Sequence, residues 1–215
     1  HDPQPLADNN LVITGDIRID NRQALFPVLG IVRELHDTYP DSRLILEAYK
    51  KWGADCTNHL EGEFAFAIWN NQSKKLFCAV DHVGFRSLFY YDTPDVFVFC
   101  SEMKGILAVK QTPNIFNEEI IVEYFFRQSD QQKTHNAEIF ALCGGNRLFV
   151  ERGKMSIERY WTLQPSDKYR FTKDEEWAQC LRELLFEAVG NRMDTPLPVG
   201  ITLSGGLDSS TVACI

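Results

Sequence analysis

Between Phe64 and Trp69 the chain reads Phe-Ala-Phe-Ala-Ile-Trp, six residues with no polar member. A strand that meets water on one side alternates apolar and polar side chains, so an unbroken run has to be covered on both faces. The run therefore calls for a sheet with a layer on each side of it. Asn70-Asn71-Gln72-Ser73 supplies a turn into a second apolar run, Leu76 to Val80, and the two predict a hairpin. A second hairpin is predicted from Leu88–Tyr91 and Val96–Cys100 across Asp92-Thr93-Pro94-Asp95. A further strand pair, Asn146–Val150 and Met155–Tyr160, turns at Arg152-Gly153-Lys154.

Helical periodicity surrounds these strands. Leu11-Val12-Ile13 predicts a strand closed by a turn at Gly15-Asp16, with Ile17 to Asn21 continuing it. Asn21 is a candidate cap for a short helix holding Ala24, Leu25 and Phe26. Asp41 stands just before a segment with Leu44, Ala48 and Trp52 at four-residue spacing, and Gly53 ends it. Asn117 is placed to cap a helix through Ile120, Ile121 and Tyr124. The polar stretch Gln164–Thr172 reads as a linker, and Thr172-Lys173-Asp174-Glu175 opens a helix. Trp177, Leu181, Leu184, Leu185, Ala188 and Val189 give that helix one apolar face, and Pro196 and Pro198 stop it. Val199–Leu203 then predicts a buried strand.

Composition narrows the function classes. The 215 residues have room for one large domain or one and a half ordinary ones, and 44% are hydrophobic, enough for a real core. A net charge of −8 supplies no basic stripe for nucleic acid. No apolar run reaches bilayer length and no signal peptide precedes the first polar segment, so a cytoplasmic protein without a membrane partner is expected. The six cysteines are dispersed, without paired spacing, which predicts buried free thiols and neither disulfides nor a metal centre. The first residue is His1 and the last residues form a helix pattern broken off early, so the chain reads as excised from something longer.

The chemistry concentrates in Leu203-Ser204-Gly205-Gly206-Leu207-Asp208-Ser209-Ser210, placed between an apolar segment and a helix pattern. Such a turn aims backbone N–H groups at an anion, and the helix dipole adds positive potential. Gly205 and Gly206 remove the Cβ atoms that would block phosphate oxygens, and Ser204, Ser209 and Ser210 add hydroxyl donors. Asp208 repels phosphate on its own, which points to an intervening Mg²⁺ ion. No lysine follows, so this is not the G-x-x-x-x-G-K-[ST] loop. It resembles the S-G-G-x-D-S pattern of ATP pyrophosphatases, which cleave ATP to AMP and pyrophosphate.

Three upstream segments extend the resemblance: Leu60–Trp69, Asp81–Tyr91 and Ser101-Glu102-Met103-Lys104. In order and spacing they resemble landmarks of class-II glutamine amidotransferases of the asparagine synthetase type. The likeness runs from Gln4 to Ile215. It implies an α+β fold, a four-layer αββα domain of the N-terminal-nucleophile kind over residues 1–163. The first strand and loop of an α/β ATP-pyrophosphatase domain would follow over 173–215. It further implies that glutamine supplies ammonia, and that ATP with Mg²⁺ activates aspartate or a similar carboxylate as an adenylate for amide formation. Leu203, Ser204, Gly205, Gly206, Asp208, Ser209 and Ser210 would hold the nucleotide, with Asp208 on the metal, and a homodimer is possible. Asp41 matches the family's aspartate for the glutamine α-amino group, with helix capping as its other role. Gly15 and Asp16 fall in the family's substrate turn.

The departures are equally specific. The family's N-terminal cysteine nucleophile is absent from the chain, leaving no catalytic glutaminase residue, and none of the six cysteines stands in its place. Its Asn-Gly-Glu turn is Thr14-Gly15-Asp16, and its arginine before Asp81 is Val80. Two other readings remain open, a glutaminase-silent relative that closes a β-lactam or lasso-peptide amide, and a non-catalytic scaffold.

Overall fold

The computed structural model describes residues 2–126, 130–193 and 198–215. The chain folds as two units, His1–Thr162 and Leu163–Ile215.

In the first unit, β1 (Leu6–Asp8) and β2 (Leu11–Ile19) lead to α1 (Arg22–Leu29) and α2 (Asp41–Trp52). The long apolar run forms β3 (Gly62–Asn70), and β4 (Lys75–Val80) returns beside it. Next come β5 (Phe89–Asp92), β6 (Phe97–Cys100), α3 (Met103–Leu107) and α4 (Glu118–Phe125). β7 (Phe140–Ala141), β8 (Asn146–Glu151) and β9 (Lys154–Arg159) close the unit. Six strands pair antiparallel in the order β1-β2-β3-β4-β8-β9, and three more in the order β6-β5-β7.

Side-chain alternation explains the layering. Ile13, Phe64, Phe66, Ile68 and Phe77 project from one face of the large sheet into a core shared with α1 and α2. Ala65, Ala67, Cys78 and Leu148 project from the other face and meet Leu88, Tyr90, Phe97 and Phe99 of the small sheet region. The far face of the small sheet packs Phe89, Tyr91 and Val98 against Met103 and Ile106 of α3. The result is helix, sheet, sheet, helix, an α+β architecture with both faces of β3 covered as the apolar run requires. Phe66 is fully buried, and its ring lies 5.8 Å from that of Phe77. Burying one such ring contributes roughly 1.5–3 kcal/mol.

Three local expectations are corrected. The predicted turn at Gly15-Asp16 does not form, because β2 runs straight through it in register with β3, pairing Gly15 with Phe66 and Asp16 with Ala65. A Cβ on Gly15 would lie 2.5 Å from the Ala65 carbonyl oxygen, so glycine here serves close strand approach and not a turn. Asn21 precedes α1 but makes no capping bond; its side chain instead ties the His59 carbonyl to the Glu61 N–H. Asp41 is the first residue of α2 and Pro40 holds the capping position. Asn117 does cap α4, accepting from the Glu119 N–H at 3.2 Å.

The second unit contains α5 (Asp174–Met193) and α6 (Leu207–Ala213). None of its described residues is buried, and Trp177, Leu181 and Leu184 remain exposed along α5. Glu176 accepts from the Thr172 and Lys173 N–H groups, both at 3.4 Å, at the start of α5. The expected strand at Val199–Leu203 is absent, with Val199, Ile201 and Leu203 half or more exposed. A strand exists only as a paired ladder, and the described residues of this unit supply no partner strand. The helix stop assigned to Pro196 lies outside the described residues.

All six cysteines are free thiols. Among the described residues no three metal-ligating side chains gather, and no helix is long and apolar enough to cross a membrane.

Candidate functional site

Two sites emerge, one in each unit. In the first, β2 presents Val12, Thr14, Asp16 and Arg18 on one face by strict alternation. Thr14, Gly15 and Asp16 line a cleft of about 290 Å³ with Ala65, Ala67, Ser87, Leu88 and Phe99. The structure thus brings Gly15 and Asp16 together at one cleft. Asp41 is not among its lining residues.

Asp16 belongs to a chain of charges. Arg86 bridges it at 3.0 Å and reaches Glu63 at 3.4 Å, while Glu63 also pairs with Arg18 at 2.9 Å. Glu63 is nearly buried, so its two arginine partners offset the cost of removing its charge from water. Arg18 pairs in turn with Asp20 at 3.2 Å. The Nε atoms of Arg18 and Arg86 are buried without a hydrogen-bond partner among the described residues. The guanidinium heads are held by their carboxylates, and that of Arg86 also lies over the Phe85 ring, 5.6 Å from its centroid.

Asp81 sets the position of Arg86, and nothing in the sequence pattern singles it out as more than a landmark. It is buried, and its carboxylate accepts from the N–H groups of Phe64, Val83, Phe85 and Arg86 at 3.0–3.2 Å. That cradle folds residues 81–86 into a tight loop and delivers the Arg86 side chain to Asp16. The available signal was an aspartate ending an apolar strand with glycine three residues on, a turn signature. Val80, where the family carries arginine, is fully buried, and its carbonyl accepts from the Tyr160 hydroxyl at 2.7 Å. Next to it, burial between Tyr160 and Trp161 pushes the His82 imidazole below its ordinary value, against the opposing pull of Asp81 and Glu61.

Two of the groups expected to bind substrate are already engaged within the chain. The Gly15 N–H donates to the side-chain oxygen of Gln4 at 2.6 Å. Asp41 accepts from the Ile19 N–H at 3.0 Å and pairs with Arg22, whose other nitrogen donates to the carbonyls of His36 and Tyr39. Cys100 lines the cleft, but its sulfur turns away onto α3, where a Cβ on Gly105 would lie 2.4 Å from it. Cys56 and Cys78 are buried, and burial pushes the Cys56 thiol up to about 12. Neither is a nucleophile.

In the second unit Gly206 precedes α6, and Gly205 adopts φ 79°, a left-handed conformation suited to glycine. The Ser204 and Ser209 hydroxyls meet at 3.0 Å, and Ser209 also accepts from the Ser204 N–H at 3.2 Å. The Ser210 hydroxyl donates to the Gly206 carbonyl at 2.8 Å. Within the helix the Ser210 N–H takes the Gly206 carbonyl, so the N–H groups of Leu207, Asp208 and Ser209 have no intrahelical acceptor. Leu203 and Asp208 are exposed. This arrangement suits an anion: two adjacent glycines without Cβ atoms, N–H groups without intrahelical acceptors and hydroxyls held beside them. No group of three metal-ligating side chains gathers at Asp208 among the described residues, so a cation there would need oxygen ligands beyond the protein's own.

The glutamine amidotransferase domain family matches residues 1–161, and the asparagine synthase family matches residues 180–215. A putative asparagine synthetase [glutamine-hydrolyzing] of Methanocaldococcus jannaschii is 35% identical over 82% of the chain and 35% of its own length. An asparagine synthetase [glutamine-hydrolyzing] of Bacillus subtilis is 32% identical over 81% of the chain and 28% of its own length. An amidase of Gibberella zeae is 31% identical over 80% of the chain and 26% of its own length. The chain thus spans about a third or less of these relatives. Among solved structures, the glutamine phosphoribosylpyrophosphate amidotransferase of B. subtilis superposes with a TM-score of 0.51. It shares 18% identity over 75% of this chain and 32% of its own. That likeness concerns the fold alone.

Proposed function

The chain belongs to the glutamine amidotransferase family, and on that premise we propose that it serves an ATP-dependent, amide-forming ligase of the asparagine synthetase type. The proposed reaction activates the side-chain carboxylate of aspartate with ATP and lets ammonia from glutamine displace the adenylate. A carboxylate is a poor acyl donor until its oxygen becomes a good leaving group, which is what ATP supplies. The observation that carries this reading is the turn at Ser204–Ser210, with its three N–H groups lacking intrahelical acceptors at the start of α6. Leu203, Ser204, Gly205, Gly206, Ser209 and Ser210 form the pyrophosphate cradle. A bound Mg²⁺ would neutralise phosphate charge with Asp208 as its protein ligand. The assignment of residues 1–163 to nitrogen supply and 173–215 to nucleotide binding is part of the same proposal.

In the complete gene product Asp208→Ala should reduce aspartate-dependent exchange of pyrophosphate into ATP at least about 100-fold. Exchange at the wild-type rate in the variant would discard the nucleotide assignment.

A second reading, a relative that does not hydrolyse glutamine, is favoured by the engagement of Gly15 with Gln4 and of Asp41 with Arg22. In the first reading Gly15 and Asp16 contact glutamine, and Asp41 takes its α-ammonium group once Arg22 yields. Product formation from glutamine and from ammonium chloride separates the two. A loss confined to glutamine in Asp41→Ala supports the first, and no glutamine use by the wild type supports the second.

A further inference from the structure

Asp16 and Ser87 line the cleft of the first unit, and the Asp16–Arg86 bridge joins these two walls. Its ends are held very differently. Arg86 is anchored independently of Asp16: its backbone N–H donates to Asp81, its head lies over the Phe85 ring, and buried Glu63 pairs with it at 3.4 Å. Asp16 has no comparable hold. Its side chain is 53% exposed, and among the described residues Arg86 is its one side-chain partner.

The guanidinium is also under-used. Of its several N–H donors, one bonds Asp16 at 3.0 Å, and the looser Glu63 contact leaves most of the others uncommitted. Its Nε is buried with no partner among the described residues. Glu63 does not depend on Arg86 for neutralisation, since Arg18 pairs with it at 2.9 Å. In this cluster two guanidinium groups face three carboxylates, Asp16, Asp20 and Glu63. One carboxylate is in excess, and Asp16 is the one on the cleft wall. Thr14, Ser87 and Ser101 also line the cleft, and their hydroxyls make no hydrogen bond among the described residues.

We propose that Arg86 is the carboxylate-recognising residue of this cleft, and that Asp16 stands in for a ligand carboxylate until one arrives. The inference rests on the reading of the cleft as a substrate site, and it adds which end of the ligand faces Arg86. An exposed ion pair is weak, so a ligand carboxylate that makes two parallel hydrogen bonds to the guanidinium displaces Asp16. Glu63, Asp81 and Phe85 keep Arg86 in place through the exchange. Asp16 and the incoming carboxylate repel each other beside the same head, which makes Asp16 a brake on binding. The hydroxyls of Thr14, Ser87 and Ser101 are left for the ligand's remaining polar atoms. A volume of about 290 Å³ lies at the small end of ligand pockets, so the ligand is a free small carboxylate and not the end of a peptide.

Calorimetric binding of two probes to the complete gene product tests this. Glutaramate carries a carboxylate and a carboxamide, glutaramide is its neutral diamide, and neither has an amino group for Asp16 to attract. The wild type should bind glutaramate at least about 10-fold more tightly than glutaramide. Arg86→Gln should bring the two within about 2-fold of each other, whereas damage to the fold would weaken both alike. Asp16→Asn should tighten glutaramate about 3-fold and leave glutaramide unchanged. If Arg86→Gln does not fold, Asp16→Asn decides alone, because its side chain is half exposed. Three results would each overturn the proposal: no preference for glutaramate in the wild type, a preference that survives Arg86→Gln, or no tightening in Asp16→Asn. Both probes are read by binding without turnover. Failure of the glutamine reading, seen as no product from glutamine, is therefore a separate result.

Discussion

The two units of this chain differ in what holds their helices in place. α2 buries Leu44, Ile45, Leu46 and Ala48 against the large sheet, so its amphipathic pattern is spent on a core. α5, at 20 residues the longer helix, buries nothing among the described residues. Periodicity proposes a face; only a second surface makes it a core. The Ser204–Ser210 turn lies in the unit that buries none of its described residues, and its short motif is legible in sequence alone. The Asp16 cleft lies in the packed unit, and its parts come from β2, β3, β6 and the loop after β4.

The contrast is broken most directly in the core. Phe66→Ala should cost about 3–5 kcal/mol in denaturant unfolding of the first unit, because both faces of β3 are covered and a cavity remains. A loss under about 1 kcal/mol would mean that the layered core does not bear on this strand.

Next in size is the cradle that positions Arg86. Asp81→Ala leaves four N–H groups without their carboxylate and should cost about 2–3 kcal/mol. Exchange of the Val83, Phe85 and Arg86 amides should quicken before global unfolding. Unchanged exchange at those three positions would assign the loop geometry to other contacts.

A smaller effect follows from His82. Its folded value lies below its unfolded one, so the folded protein binds fewer protons. Above about pH 6.5 both states are neutral and the group is silent. Stability then falls as pH drops below that value, until the folded imidazole itself takes a proton. Thermal melts between pH 7.5 and 5 should therefore decline more steeply for the wild type than for His82→Asn. Parallel declines would remove His82 from the acid response.

The smallest change is expected on α5. Leu181, 58% exposed, should tolerate alanine with a change within about 0.5 kcal/mol in this 215-residue chain. A loss above about 2 kcal/mol would erase the contrast between the units, since it would require a buried contact at that position.

Sequence patterning alone determined the paired runs, the double coverage of β3, the helices α1, α2, α4, α5 and α6 and the Ser-Gly-Gly turn, because each is written in neighbours within a few residues, whereas α3 carried no such signal. It misplaced what depends on partners. Gly15-Asp16 reads as a turn in isolation, yet pairing with Phe66 and Ala65 holds it extended. Val199–Leu203 reads as a buried strand, yet without a neighbouring strand its backbone has no ladder to join. Tertiary structure alone decided that Asp16 meets Arg86 across 70 positions of chain, that Glu63 anchors two arginines, and that Arg22 takes Asp41. Charges of opposite sign occur throughout the sequence, and their choice of partner depends on which strands lie side by side and which face each presents.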